Sequence, residues 1–135
     1  MSVRPGMVWY SKQAEWMERG NGVRSRPLCG PEVDTQTMLA GMTEVPVGGE
    51  IPLHHHNTDE FILVLRGEAL VTIDSEVKPV SAADATLVHS GVKHRYVNTG
   101  LEPLRILWVY GDINTTRTIA GTGVTLGHLD PYDPS

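Results

Sequence analysis

The sequence predicts an all-β domain, a sandwich or barrel of seven or eight short strands. Three observations carry that expectation. Glycine (14) and proline (9) together make about one residue in six, above the roughly one in eight of an average chain. From residue 33 onward, apolar and polar residues alternate in short runs and do not recur at helical spacing. Turn-forming pairs, Gly48-Gly49, Arg66-Gly67, Asp74-Ser75 and Ser90-Gly91, separate those runs.

Residues 1–30 are expected to form an arm with one short helix. Ser11 is placed to cap a helix over 12–19, and Gly20 followed by Asn21-Gly22 to stop it. Trp9, Tyr10, Trp16 and Met17 carry too much apolar surface for a free terminus, so the arm should dock on the domain or on a second subunit. The barrel is expected over 31–115, with strands at 35–45, 51–56, 61–65, 70–74, 77–80, 86–89, 95–97 and 104–110. In the first of these, either Met38, Ala40 and Met42 or Leu39 and Gly41 line the interior. Residues 116–135 form a tail that could add an edge strand before ending loosely over 130–135.

Composition narrows the function classes. The 135 residues suffice for one domain with a single buried core. The formal charge of −5, without a basic cluster, argues against nucleic acid and against an anionic membrane surface. No apolar run approaches the length of a membrane helix, and the first residues, MSVRPGMVWYSKQ, lack the apolar core of a secretory signal. The lone Cys29 cannot form a disulfide within the chain, so a cytoplasmic protein is expected.

Six histidines are present, five of them between positions 54 and 94. His54 and His56 are two apart on an expected strand, so they face the same side, while His55 faces the other. Glu60 follows after three intervening residues, beyond a turn, and His94 begins another strand. Three imidazoles and one carboxylate converging inside a barrel would make a metal site. A polar surface cluster is the alternative for two neighbouring strand histidines taken alone. With no thiolate in the set, Fe, Mn, Ni or Zn suits it better than an iron–sulfur cluster or a zinc finger would.

These residues also stand in a pattern that resembles the cupin superfamily. Its first motif is a glycine, five residues, His-x-His, three or four residues, Glu, six residues and a glycine; Gly48, His54, His56, Glu60 and Gly67 match throughout. In the second motif Gly91, His94 and Asn98 match, whereas Ala83 stands where a glycine is expected and His89 where a proline is. The resemblance implies a double-stranded β-helix (jelly-roll) barrel, usually dimeric. One divalent transition metal would be held by His54, His56, Glu60 and His94. The N-terminal arm could then cross to a partner subunit of a homodimer.

Strand alternation from His94 sends Tyr96 and Asn98 inward, and from Glu60 sends Ile62 and Val64 inward. Tyr96 is a candidate general acid, and His89, at the barrel mouth, a candidate for moving a proton; the alternatives are a packed tyrosine and a solvated loop histidine. Asn98 is expected to brace the barrel. Trp108 and Tyr110 share a face expected at a subunit interface, with capping the pocket as the alternative. Arg24 and Arg26 are expected on a solvated edge, with a grip on a substrate carboxylate as the alternative. Cys29 is expected buried, and His128 in a solvated tail, with folding over the barrel mouth as the alternative. The leading functional expectation is a dioxygenase-like enzyme acting on a small oxygenated molecule that chelates the metal. Alternatives are a non-redox isomerase or lyase, and a non-catalytic small-molecule binder.

Overall fold

A computed structural model describes residues 5–30, 35 and 37–130. The loose ending expected at the C-terminus, from 131 on, and the expected domain boundary at residue 31 lie outside the described residues. The described residues form twelve strands: β1 (Met17–Gly20), β2 (Val23–Cys29), β3 (Leu39–Val45), β4 (Glu50–His56), β5 (Glu60–Arg66), β6 (Glu68–Ile73), β7 (Glu76–Ser81), β8 (Ala85–Val88), β9 (His94–Asn98), β10 (Leu104–Tyr110), β11 (Thr116–Ile119) and β12 (Thr125–Gly127). They build two six-stranded antiparallel sheets, ordered β1-β2-β3-β10-β5-β8 and β12-β11-β4-β9-β6-β7. Leu39, Val45, Ile62, Leu104 and Ile106 of the first sheet meet Ile51, Val71 and Tyr96 of the second in one core cluster. The fold is a jelly-roll, as expected. Among the described residues no helix is long and apolar enough to cross a membrane.

The strands expected from alternation all form, and burial settles their faces. β3 and β10 bury every second residue, so Leu39, Gly41, Thr43 and Val45 point inward while Met38, Ala40 and Met42 point out. Gly41 pairs with Trp108 across β3 and β10. A Cβ on Gly41 would stand 2.3 Å from the Trp108 ring and 2.7 Å from the Arg26 carbonyl oxygen. The absent side chain is what lets the indole lie flat inside the barrel. Asn98 braces the sheets as expected: its amide donates to the Val45 oxygen (3.0 Å), the Pro46 oxygen (3.2 Å) and the Glu102 oxygen (2.9 Å).

The arm departs from expectation. Only Ser11–Gln13 turn helically, as a single 3-10 turn, and the segment expected as a helix over 12–19 instead runs into β1. Asn21 (φ 53) and Gly22 (φ 80) are the two loop residues between the paired Gly20 and Val23. Positive φ at both positions is the tight hairpin turn for which Asn-Gly is the favoured pair. Trp16 then lies against β2, with the Arg24 and Arg26 guanidinium carbons 4.1 and 4.2 Å from its ring centre. At the other end the tail supplies two strands to the second sheet, β11 against β4 and β12 against β11.

Ala83 takes φ 75, the left-handed conformation that costs an L-residue about 1–2 kcal/mol. Two substitutions should therefore move stability in opposite directions. Ala83→Gly is expected to stabilise the fold by about 0.5–1 kcal/mol, net of the added unfolded-chain entropy. Gly41→Ala is expected to destabilise it by about 1–3 kcal/mol through the Trp108 overlap. Thermal or denaturant unfolding measures both.

Candidate metal centre

The site begins with an irregularity in β4. Between the pairs Ile51↔Tyr96 and His54↔His94, β4 spends one more residue than β9, which is a bulge. Without it, a strand that turns His54 and His56 inward would turn Ile51 outward. With it, Ile51, His54 and His56 are all buried. Pro52 sits in the bulge, where the lost ladder donor does no harm.

Each imidazole is then fixed by a backbone carbonyl. The Nδ1–H groups of His54, His56 and His94 donate to the oxygens of Pro52 (2.6 Å), Thr116 (3.0 Å) and Val92 (2.9 Å). A carbonyl can only accept, so Nδ1 carries the proton in all three rings and Nε2 is left as the inward donor atom. Glu60, from the start of β5, brings Oε1 to 2.9 Å from His94 Nε2 and Oε2 to 3.6 Å from His56 Nε2. The four residues are each at least 97% buried, and their donor atoms lie within 4.8 Å of one another. Carbonyl-anchored imidazoles with a carboxylate are the usual supporting arrangement of a metal ligand set. The group fits a divalent metal ion and could hold one.

Beside it lies a cavity of about 20 Å³, room for a single water or ion. His54 and Glu60 open onto it, with Ile51, Ile62 and Ile106 as apolar lining. Tyr96 lines it too, fully buried, but its hydroxyl is hydrogen-bonded to Thr86 on β8. Trp108 and Tyr110, expected at a subunit interface, are buried in the cavity wall, because β10 lies mid-sheet with its even-numbered residues, Leu104 to Tyr110, facing inward. The indole donates to Thr43 Oγ1 (2.8 Å), and the Tyr110 hydroxyl donates to His56 Nε2 (3.2 Å). His128, expected in solvent, is 4% exposed and roofs the cavity among Trp108, Tyr110 and His56. Arg19 of β1 holds that roof by donating to the His128 oxygen (2.8 Å).

His89 is not brought to the cavity. It follows β8 in an exposed turn, its side chain 72% exposed and its Nδ1 3.5 Å from Asp59 Oδ1. Arg24 bonds Glu44 (2.9 Å) on the outer face, which Arg105 also reaches (2.7 Å), and Cys29 is half-buried on the outside of the same sheet. Sequence reading preferred an interface for Tyr110 and solvent for His128; in each case the alternative, a place over the pocket, is the one the structure takes. Alternation did place Tyr110 on the Trp108 face, but which face looked inward depended on partners far along the chain.

Burial dominates the electrostatics. It pushes His54 well below its ordinary value, with the facing His94 and His56 adding to the effect, and lowers His56 to about 4 against the pull of Glu60. Burial alone would raise Glu60, but the facing His56 and His94 outweigh it and hold the carboxyl below its usual range. Tyr110 is raised, first by burial and then by the Glu60 charge, so its hydroxyl keeps its proton.

The fold and the four-donor group define a small cupin-type barrel with a candidate metal centre at its heart. The chain belongs to the Cupin_2 family, whose cupin domain matches residues 41–110. It is 25% identical over 134 residues to the polyketide synthase CurC of Streptomyces cyaneus, a match covering 98% of this chain and 82% of that protein. An uncharacterised protein of Methanocaldococcus jannaschii is 36% identical over 64 residues, so there the chain spans about half the relative's length (51%). Among solved structures, the polyketide cyclase RemF of Streptomyces resistomycificus superposes with a TM-score of 0.71 at 17% identity, over 99% of this chain and 90% of that one. At that identity the likeness speaks for the fold.

A pH dependence follows for the metal-free protein. With His54 and His56 held below the model-peptide value of 6.5, the unfolded chain binds more protons than the folded one between about pH 6.5 and 4. Stability should therefore fall as pH drops through that window, and the lowered Glu60 loses its contribution in the same direction at still lower pH. Melting temperatures from pH 7 to 4 should decline, and His56→Gln should flatten the decline.

Proposed function

We propose that the protein is a metal-dependent enzyme that activates a small molecule bearing two carbonyl oxygens and promotes non-redox, enolate-type carbon–carbon bond formation. The observation that carries this reading is the group of three carbonyl-anchored imidazoles and Glu60, which opens through His54 and Glu60 onto a water-sized cavity also lined by a proton-bearing tyrosine, Tyr110. A divalent metal held by His54, His56, Glu60 and His94 would supply Lewis-acid polarisation of the substrate's oxygens. The chain's own residues do the rest. Ile51, Ile62 and Ile106 give the cavity an apolar flank, and the Tyr110 hydroxyl, released from His56 Nε2 when that atom holds the metal, would donate a hydrogen bond where negative charge develops on oxygen. In such a ring closure an α-proton leaves, the carbanion bonds to a second carbonyl carbon, and that carbonyl's oxygen takes up a proton. Similarity to CurC over nearly the whole chain supports a poly-carbonyl substrate class.

A second reading is favoured by the donor set itself. Three imidazoles and a carboxylate suit iron as well, and dioxygenase-like chemistry would use the same cavity. A homodimer is also proposed, supported by exposed Trp9 and Tyr10 beside an outer groove lined by Trp16, Leu28 and Leu129. Sedimentation should give twice the chain mass, and the monomer mass for Trp9→Ser with Tyr10→Ser.

Metal analysis followed by deuterium exchange tests the enzyme reading. The metal-loaded protein should speed exchange of the C–H bonds of the methylenes between carbonyls in a linear 1,3,5-triketone without oxygen, as followed by NMR. His94→Ala should weaken metal binding by more than the roughly 10–100-fold lost with a supporting hydrogen bond, and should abolish exchange. Turnover only with stoichiometric oxygen uptake would select the dioxygenase reading instead.

A further inference from the structure

His128 is held in place through its backbone and left open through its side chain. Its N–H donates to the Thr115 oxygen (2.9 Å) and its oxygen accepts from Arg19 (2.8 Å), which fixes the residue at the end of β12. Its ring is set edge-on against Trp108 (centroids 4.5 Å, 83°) and Tyr110 (4.7 Å, 68°). Both ring nitrogens are buried, and among the described residues neither meets a hydrogen-bond partner. A buried polar group without a partner is unfavourable, and the imidazole can serve as one donor and one acceptor. The same ring lines the cavity that His54 and Glu60 open onto.

Distance separates His128 from the ligand group. The rings of His54, His56 and His94 lie 4.2 to 5.1 Å from one another, whereas His128 lies 5.7 Å from His56 and belongs outside the set whose donor atoms converge. That is the place of a group touching something bound at the centre. We propose that His128 is a substrate-contacting residue that hydrogen-bonds an oxygen of a 1,3-dicarbonyl ligand, from its place in the cavity wall beside Trp108, Tyr110 and His56. The assignment rests on the metal-dependent reading above and adds the residue that recognises the ligand's outer oxygen. The cavity's volume of about 20 Å³ is that of a single water, so entry of the ligand requires its lining side chains to move apart.

The test uses Co²⁺-loaded protein and acetylacetone as the probe, with affinity read from the visible absorption of the metal. His128→Phe keeps the ring against Trp108 and Tyr110 but removes both nitrogens. The expected result is acetylacetone binding about tenfold weaker, the value of one hydrogen bond, with Co²⁺ affinity and the ligand-free spectrum unchanged. Unchanged acetylacetone affinity overturns the proposal, and so does a changed ligand-free spectrum or weakened Co²⁺ binding, which would make His128 a ligand. Should the variant not fold, ¹⁵N shifts of the His128 ring in Zn²⁺-loaded wild-type protein decide, since a contacting imidazole must shift when acetylacetone is added. Wild-type protein that takes up no Co²⁺ would instead defeat the metal-dependent reading itself.

Discussion

Three N–H groups pointing away from the centre govern this molecule. Each candidate ligand histidine spends its Nδ1 proton on a backbone carbonyl, and so turns its Nε2 lone pair inward. Those carbonyls come from unrelated places: Pro52 in the β4 bulge, Val92 in the turn before β9, and Thr116 at the start of the tail strand β11. The donor group is therefore a property of the barrel as built, and a strand that slipped by one residue would point the rings outward. Glu60 completes the arrangement from the neighbouring sheet. Its oxygen stands 2.9 Å from Nε2 of His94, so the carboxylate and the ring share one point at the centre of the group.

The strands β3 to β10 were legible because alternation and turn residues are local signals. The ligand residues were legible for the same reason, His54 and His56 through their spacing of two, and His94 through its place in a motif. What escaped local reading depended on distant partners. Asn21-Gly22 serves equally well to end a helix or to turn a hairpin, and only the docking of Trp16 between Arg24 and Arg26 selects the hairpin. Trp108 and Tyr110 could face either way along β10 until Gly41, on a strand more than sixty residues earlier, made room for the indole. His128 carries no pattern in its neighbourhood. Its burial follows from Arg19, at the other end of the chain.

The β1–β2 hairpin and the segment after β12 meet over the cavity, and this gives the hairpin a part in the site. β1 would be an ordinary edge strand if Arg19 pointed into solvent. Instead its guanidinium is 2% exposed and reaches the carbonyl of His128, so the arm and the tail hold one another across the barrel mouth. Tyr110 lies beside them in the cavity wall, and its hydroxyl is hydrogen-bonded to His56 of the ligand group. Acidic surroundings would not readily charge these rings, because burial lowers both His56 and His128.

The anchor on His56 has a consequence for the order in which the chain acquires its shape. Its carbonyl belongs to Thr116, sixty residues downstream, and β11 can lie beside β4 only after the intervening strands have been laid down. Closing so long a loop is entropically slow, and contacts of this kind form late. A nascent chain that has emerged through His94 already holds all four donors in sequence, yet its His56 ring has no carbonyl to fix it. The last strands to be synthesised thus decide whether the first histidines are ready, so premature capture of a metal by a half-made barrel would meet a site still missing its alignment.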